Sequence, residues 1–335
     1  MLIWLVLIPL IAAALIGLCK APARPTALLS ASLTLALGIW ALVSFDGCSS
    51  CWSRFEGMDL QLTLAPALSK VMLLLTILVT FATVLGTNPP QGGEASWYNS
   101  ALLISAGATG AFLSDNIISF FAFHELALIP TFVMIGLYGR GDRRTTAWRA
   151  TLYLGLASMV LLAALLMIGT QAGFTFSGLK DFMASGRELA HAELIGALLI
   201  AGFGTLISLF PFHSWAAPAY ASAPAPVAMM HAGVLKKFGL YGLFMFQPLM
   251  ETGFLPWTNI LLVLLVCNVI WVGYVTVNQK RLDLLLGNSS VMHMGYIFLA
   301  FAALVVSGSA EANPWALKGA ALLMLAHGLT IALLF

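Results

Sequence analysis

Charged residues are scarce in this chain. Asp, Glu, Lys and Arg together make up 8% of its 335 residues, whereas hydrophobic residues make up 61%. Since a soluble domain carries about 25% charged residues, this chain has too few charges to cover a surface that faces water. The scarcity excludes an ordinary soluble protein and predicts that the lipid bilayer surrounds much of the fold.

The sequence also lacks the motifs of nucleotide, metal and nucleic-acid sites. Its net charge of +2 is too small to indicate a nucleic-acid partner. No Walker motif, dinucleotide-binding glycine motif or H-E-x-x-H pattern occurs, and the four cysteines have no metal-binding spacing. We therefore expect no nucleic-acid partner, no cofactor, no metal site and no covalent catalysis.

Cys48 and Cys51 are close together in a polar loop, as C-S-S-C. The pair is interpreted as loop thiols, which form a disulfide if the loop faces an oxidising compartment. A redox or zinc role for the same pair is the alternative.

The chain contains many long apolar runs. A helix needs about 20 consecutive apolar residues to cross the bilayer core, and continuous runs exclude a barrel, whose strands alternate apolar and polar residues. Eleven runs fit spanning helices: near Leu2–Cys19, Ala27–Phe45, Ala65–Leu85, Ser96–Phe112, Ile117–Leu137, Ala147–Ile168, Leu194–Phe210, Val227–Phe246, Leu255–Val275, Leu284–Val306 and Leu317–Phe335. The first run lacks the features of a cleaved signal peptide, so we expect it to be retained. The predicted fold class is all-α, a polytopic membrane protein of about eleven transmembrane helices.

Lys and Arg in the short loops indicate the orientation, because cytoplasmic loops carry an excess of them. The basic residues of three loops fall on one side if the spans alternate: Lys20, Arg24, Arg140, Arg143, Arg144, Arg149, Lys280 and Arg281. The opposite loops carry fewer basic residues, diluted by acidic ones: Arg54, Lys180 and Arg187, with Asp46, Glu56, Asp59, Asp181, Glu188 and Glu193. We therefore expect a multi-pass protein of the cell inner membrane with a periplasmic or external N-terminus.

A group of prolines interrupts the chain between the seventh and eighth runs. Pro211-Phe212-His213-Ser214-Trp215 is followed by Pro218, Pro224 and Pro226. Proline disrupts a helix interior, so we expect a discontinuous helix near Pro211. At membrane depth such a break is buried in protein or lines a wet cavity, as in the ion sites of many transporters. A re-entrant turn near the membrane surface is the alternative.

Ionisable side chains inside the apolar runs are the candidate functional residues, because charge is costly in a bilayer and is usually functional there. Those in or beside the runs are Glu125, His213, His231, Lys236, Lys237, His293 and His327. Burial favours the uncharged form of a carboxyl or an amine, and histidine titrates near neutral pH. Such groups can therefore load and release protons. The alternatives are side chains that only hydrogen-bond between helices, and a Lys236 that reaches back to the membrane surface.

Four motifs carry a family resemblance. They are Phe120-Phe121-Ala122-Phe123-His124-Glu125-Leu126-Ala127-Leu128-Ile129-Pro130, which looks like F-W-E-x-x-L-I-P; Pro211-Phe212-His213-Ser214-Trp215 through Lys237 and Tyr241-Gly242; Ser289-Ser290-Val291-Met292-His293-Met294-Gly295-Tyr296, of the form S-S-x-x-H-M-G; and Ala326-His327-Gly328-Leu329-Thr330 with Leu333-Leu334-Phe335, of the form A-H-G-L…L-F. By these motifs the chain resembles the antiporter-like membrane subunits of respiratory complex I, most closely the subunit 4 type of NADH–quinone oxidoreductase. Mrp-type cation/proton antiporters and the membrane subunits of energy-converting hydrogenases belong to the same superfamily.

The resemblance implies a role for each matching residue. Glu125 matches the glutamate whose charge state is coupled to lysine in the proton channel, and Lys237 matches the central relay lysine. Arg149 falls where the family has a lysine beside the glutamate helix. His293 and His327 match relay histidines toward the channel exit. The complete predicted proton path, which has no catalytic residue in the covalent sense, is Glu125, Arg149, His213, Lys236, Lys237, His293 and His327.

The sequence departs from the family pattern in the broken helix. The family places a lysine five residues before Pro211, where this chain has Leu206. That lysine is the usual ion-pair partner of the glutamate, and Lys236 is a candidate to compensate for its loss. The family's L-P-D-A-H reads Ala216-Ala217-Pro218-Ala219-Tyr220 here, so its Asp and His are lost.

The resemblance also implies a domain organisation. Residues 1–335 are expected to form one transmembrane domain, with N-terminal helices at 1–95, a first antiporter-like repeat at 96–250 and a partial second repeat at 251–335. The family continues past the position of Phe335, so we expect an incomplete inverted-repeat antiporter fold: a truncated chain, or one whose remainder lies on another polypeptide.

Three functions fit the sequence. The first is a proton-translocating membrane subunit of a complex I-like NADH–quinone oxidoreductase, without a redox centre of its own and assembled with other membrane subunits. The second is a Mrp-type cation/proton antiporter or a hydrogenase membrane subunit. The third is a structural membrane subunit that no longer pumps, which the loss of lysine at Leu206 favours.

Overall fold

The computed structural model describes residues 1–44, 49–55, 58–309 and 312–335, and it describes no side chain between positions 45 and 60. The predicted pairing of Cys48 with Cys51 lies outside this description. Helix dominates the described residues, as the continuous apolar runs predict. The described chain divides into two compact units.

The first unit comprises Met1–Ala147, Ser222–Leu235 and Gly328–Phe335. Its α-helices are α1 (Trp4–Gly17), α2 (Ala23–Ser44), α3 (Ala67–Gly86), α4 (Glu94–Leu113) and α5 (Ile117–Tyr138). A later helix, which we number α10 (Ala225–Met230), and a π-helical turn at His231–Leu235 belong to the same unit. Its apolar core includes buried Leu5, Leu73, Ile77 and Leu113.

The second unit comprises Trp148–Ala221 and Lys236–His327. Its α-helices are most of α6 (Arg143–Ala172), α7 (Phe176–Ala184), α8 (Ala192–Leu206), most of α9 (Ala216–Ser222), α11 (Lys237–Met245), α12 (Thr258–Val266), α13 (Val272–Val277), α14 (Leu282–Ser307) and most of α15 (Pro314–Leu334). Short 3-10 and π-helical turns at Gln247–Trp257 lead into α12, and a π-helical turn at Cys267–Trp271 joins α12 to α13.

Seven helical segments of the described residues are long and apolar enough to cross a membrane. They are Ala23–Ser44, Ala67–Gly86, Ile117–Tyr138, Arg143–Ala172, Gln247–Val277, Leu282–Ser307 and Pro314–Leu334. Each of the eleven predicted runs contains helix. The polytopic helical fold is therefore confirmed, whereas the count of eleven spans stays a prediction.

A short antiparallel hairpin precedes α3, where the sequence predicted only a polar loop. Strand β1 (Ser49–Phe55) pairs with β2 (Met58–Thr63), and Ser49 lies opposite Thr63. The alternation of leucine with polar residues over positions 60–64 has the period of two that is typical of a strand.

Close packing of α4 against α5 fixes the helix that carries Glu125. A Cβ atom built on Gly107 would lie 2.5 Å from the Phe123 carbonyl oxygen, and one on Gly110 would lie 2.5 Å from the Phe123 ring. Only glycine allows the two helices to approach this closely. Helix α5 begins at a side-chain cap, because Asn116 Oδ1 accepts hydrogen bonds from two backbone N–H groups of its first turn.

The helix interruption expected near Pro211 is present in the second unit. Helix α8 ends at Leu206, and α9 begins only at Ala216. Ser208 has a positive φ of 66°, a conformation that ends a helix. The intervening segment carries His213 and leads the chain back into helix.

Candidate functional site

Two adjacent lysines are buried at the start of α11. Lys237 is 0% exposed and Lys236 is 1% exposed, although lysine is almost never fully buried unless it is paired. A π-helical turn immediately precedes the pair, and such turns are frequent at functional sites. The whole of α11 from Lys237 to Phe244 is buried, so both lysine side chains point into protein although they leave the helix in different directions.

Lys237 has a direct partner on α15. Its Nζ lies 2.9 Å from Nδ1 of His327, whose side chain is 8% exposed. An ammonium donates to a neutral imidazole nitrogen, and a neutral amine accepts from a protonated one. The contact is therefore competent to pass a proton in either direction.

A second histidine extends this contact along α14. The ring centroids of His327 and His293 are 5.4 Å apart. His293 Nδ1 donates a hydrogen bond of 2.8 Å to the Ser289 carbonyl, which leaves Nε2 as the acceptor nitrogen of the neutral ring. Lys237, His327 and His293 thus form a row of titratable groups, which we call the lysine–histidine row.

Lys236 lies outside that row. Its Nζ is buried and has no hydrogen-bond partner among the described residues, but it lies 5.2 Å from the ring centroid of Tyr220 on α9. The alternative in which Lys236 reaches back to the membrane surface is wrong, because protein surrounds its side chain.

His213 lies in the segment between α8 and α9. It is half-buried, and its ring stacks on Phe210 at a centroid distance of 5.4 Å and an interplanar angle of 25°. It is close enough to Lys236 for their charges to interact. The second unit therefore brings His213 near Lys236, and it brings His293 and His327 near Lys237.

Two side chains satisfy the backbone groups that the helix break exposes. The Phe210 N–H donates to Asn268 Oδ1 at 3.0 Å, and the Trp215 indole donates to the Thr205 carbonyl at 3.2 Å. Asn268 Nδ2 also donates to the Val291 carbonyl of α14 at 3.0 Å. These contacts of Asn268 were not predicted from the sequence, although an amide in the middle of the apolar run Leu255–Val275 was an available signal.

Glu125 lies on α5 in the first unit. Its Oε1 lies 3.3 Å from Nδ1 of His124, and the two side chains are 32% and 2% exposed respectively. The predicted burial of Glu125 is therefore only partial. This contact of His124 was not predicted from the sequence, although the position of His124 next to a glutamate inside an apolar run was an available signal.

Arg149 and His231 are the remaining candidates. Arg149 is exposed on α6. His231 is buried in the π-helical turn of the first unit. The contacts within each unit thus join three of the seven predicted path residues into one row, and they give Lys236 an aromatic neighbour.

A known family matches most of the chain. Residues 114–335 match the family described as "NADH:quinone oxidoreductase/Mrp antiporter, TM". One relative, NAD(P)H-quinone oxidoreductase chain 4 2 of Microcystis aeruginosa, is 33% identical over 275 residues, which cover 80% of this chain and 47% of the relative. Another, NAD(P)H-quinone oxidoreductase chain 4 2 of Thermosynechococcus vestitus, is 31% identical over 290 residues, 85% of this chain and 52% of the relative. The chain spans about half the length of the curated relatives it matches.

Solved structures share the fold. A chain of respiratory complex I from Thermus thermophilus with bound NADH superposes with a TM-score of 0.81 at 25% identity, covering 98% of this chain and 71% of that chain. A chain of the Mrp complex from a Dietzia species gives 0.82 at 20% identity, with 99% and 62% coverage. At that identity the second likeness shows the fold alone. Together with the family match over residues 114–335, these findings show that the chain belongs to the NADH:quinone oxidoreductase/Mrp antiporter transmembrane family.

Proposed function

We propose that this chain is a proton-translocating membrane subunit of a complex I-like NADH–quinone oxidoreductase and has no redox centre of its own. The buried lysine–histidine row is the observation that carries the proposal. A structural lysine needs one fixed acceptor, whereas this one contacts an imidazole that is followed by another imidazole. The chain 4 names of the relatives support the enzyme class.

The row supplies the chemistry of a proton relay. The ammonium of Lys237 donates its proton to His327 Nδ1, and the His327 ring then releases a proton from Nε2 toward His293. Moving one charge against 100 mV takes about 2.3 kcal/mol, and one pH unit of proton affinity is worth about 1.4 kcal/mol. A change of about two units in the proton affinity of one residue is therefore enough to drive the transfer.

The other predicted residues supply the input to this row. Redox energy released in a partner subunit changes the surroundings of Glu125, whose carboxylate also contacts His124. Arg149, His213 and Lys236 complete the path. The subunit lies in the cell inner membrane with its N-terminus outside, assembled with other membrane subunits.

A structural subunit that no longer pumps is the second candidate. Leu206 favours it, because an apolar side chain at the end of α8 is buried where the family resemblance predicts a lysine. The two candidates make opposite predictions for the same variants.

The test measures the ratio of protons moved to electrons transferred in membrane vesicles that contain the assembled complex. Glu125→Gln and Lys237→Met remove the two titratable groups with little change in volume. Lys318→Met is the matched control, since Lys318 is exposed on α15. We expect a lower ratio in both site variants and an unchanged ratio in the control. A wild-type ratio in both site variants would favour the structural subunit.

A further inference from the structure

We propose that Lys236 is a second proton-carrying amine of this subunit, and that the face of the Tyr220 ring holds its charged form. The inference rests on the proposed function and extends it, because it gives this lysine a role distinct from that of Lys237. It also assigns a function to a tyrosine that the sequence resemblance marked only as a departure.

The amine of Lys236 is isolated from acceptors among the described residues. Lys236 is 1% exposed, and within the described residues its Nζ has no hydrogen-bond acceptor and no carboxylate partner. A permanently charged ammonium in such a place is costly to desolvate. A lysine that served only to hold helices together would be expected to meet a carboxylate or a carbonyl. The amine of Lys236 is therefore placed to alternate between its charged and uncharged forms.

The aromatic ring of Tyr220 lies next to this amine. Lys236 Nζ lies 5.2 Å from the Tyr220 ring centroid, inside the 6 Å range in which the negative face of a ring attracts a cation. Tyr220 is 2% exposed and packs edge-on against buried Trp215, with their ring centroids 6.2 Å apart. Trp215 in turn is held by its hydrogen bond to the Thr205 carbonyl. The ring thus has a fixed position and stabilises the ammonium without accepting its proton.

The charges around Lys236 couple its protonation to that of the lysine–histidine row. Among the described residues, the titratable groups whose charges interact with Lys236 are His213 between α8 and α9, Lys237 beside it in the chain, and His327 on α15. All of these are neutral or positive, so a proton on Lys236 disfavours a second proton on Lys237 or His327. Loading Lys236 therefore drives the proton of the lysine–histidine row onward.

Protons move through Lys236 in a series of transfers. The uncharged amine of Lys236 takes a proton from water on the His213 side, and the ring of Tyr220 stabilises the resulting ammonium. The new charge expels the proton that Lys237 holds, to His327. Lys236 then passes its own proton through water to the uncharged Lys237, which restores both groups. Since Leu206 offers no amine on α8, Lys236 supplies the second amine from the start of α11.

The experiment measures the proton-to-electron ratio across pH in vesicles that hold the assembled complex. Tyr220→Leu removes the ring, Tyr220→Phe keeps it without the hydroxyl, and Lys236→Met removes the amine. Tyr274→Leu is the control, because Tyr274 is exposed on α13. In Tyr220→Leu we expect the alkaline limit of pumping to move to lower pH by about one unit, because the ammonium loses its stabilising face. Tyr220→Phe and Tyr274→Leu are expected to keep the wild-type limit.

A double variant separates a cation–π role from a packing role. If the ring acts through the amine, Lys236→Met and the Lys236→Met/Tyr220→Leu double variant have the same profile. A further shift of the limit in the double variant would overturn the inference. If Lys236→Met fails to assemble, the comparison of Tyr220→Leu with Tyr220→Phe decides alone, since both variants keep the lysine; equal limits in those two would also overturn it.

Lys237→Met distinguishes failure of this inference from failure of the proposed function. Loss of pumping in Lys237→Met with wild-type profiles in Lys236→Met and Tyr220→Leu would refute the inference and leave the proposed function standing. Wild-type pumping in all three variants would refute both.

Discussion

Replacement of His327 tests the lysine–histidine row at its centre. His327→Leu removes the acceptor that lies 2.9 Å from Lys237 Nζ and also removes the ring that faces His293. His327→Asn keeps an acceptor, because its Oδ1 can take the place of the imidazole Nδ1, but it cannot carry a proton onward. The two variants therefore separate the hydrogen bond from the relay.

The size of the expected pH shift follows from the hydrogen bond between Lys237 and His327. A hydrogen bond to a charged group contributes about 1.5–3 kcal/mol, and about 1.4 kcal/mol corresponds to one pH unit. Loss of the acceptor disfavours the ammonium of Lys237, which then loses its proton at lower pH. In His327→Leu we expect the alkaline limit of pumping to move down by about one to two pH units. In His327→Asn the limit stays in place.

The relay step is tested by the proton-to-electron ratio at the optimal pH. Both variants lack the ring that passes the proton to His293, so both are expected to move fewer protons per electron than the wild type. The assay follows the proton-to-electron ratio in vesicles across pH, with His191→Asn as the control. His191 is exposed and has a φ of 59°, a conformation that asparagine tolerates. A wild-type profile in His327→Leu, or full pumping in His327→Asn, would refute the reasoning.

Three further predictions concern the scaffold. Gly107→Ala places a Cβ against the backbone of α5 and should lower stability by about 1–3 kcal/mol, which is measured as a lower unfolding temperature in detergent. The control Gly155→Ala should keep the wild-type unfolding temperature, because a Cβ there meets nothing within 4 Å. Equal effects of the two variants would show that the contact between α4 and α5 does not require glycine. Asn268→Leu leaves the partly buried Phe210 N–H without its acceptor and should lower stability by about 1–3 kcal/mol; an unchanged unfolding temperature would show that this bond contributes little. In a cysteine-free background, Lys280→Cys should react with an impermeant maleimide only from the cytoplasmic side and Lys180→Cys only from the other, and labelling of both from one side would reject the predicted orientation.

Much of the fold could be predicted because the solvent dictates it. A chain with 8% charged residues and long apolar runs can satisfy its backbone in lipid only as helices. The helix break near Pro211 could also be predicted, because proline disrupts a helix locally. The β-hairpin was missed because the two strands are short and lie between much stronger helical signals.

The contacts within the site were much harder to predict. Helix α11 is buried on all sides, so it has no polar face that could tell which way Lys236 and Lys237 point. The aromatic partner of Lys236 lies on α9, 16 residues earlier in the chain, across the interrupted segment. Such contacts depend on how helices pack, which periodicity does not record. His124 was overlooked for a simpler reason, since the neighbouring glutamate carried the family motif.

In the proposed function, the buried amine of Lys237 carries protons during turnover. The most direct measurement is the proton-to-electron ratio of Lys237→Met in vesicles whose complex is present at wild-type amounts and still transfers electrons. We expect a ratio below that of the wild type and of Lys318→Met at every pH. A ratio equal to the wild type, in complexes shown to be fully assembled, would contradict it.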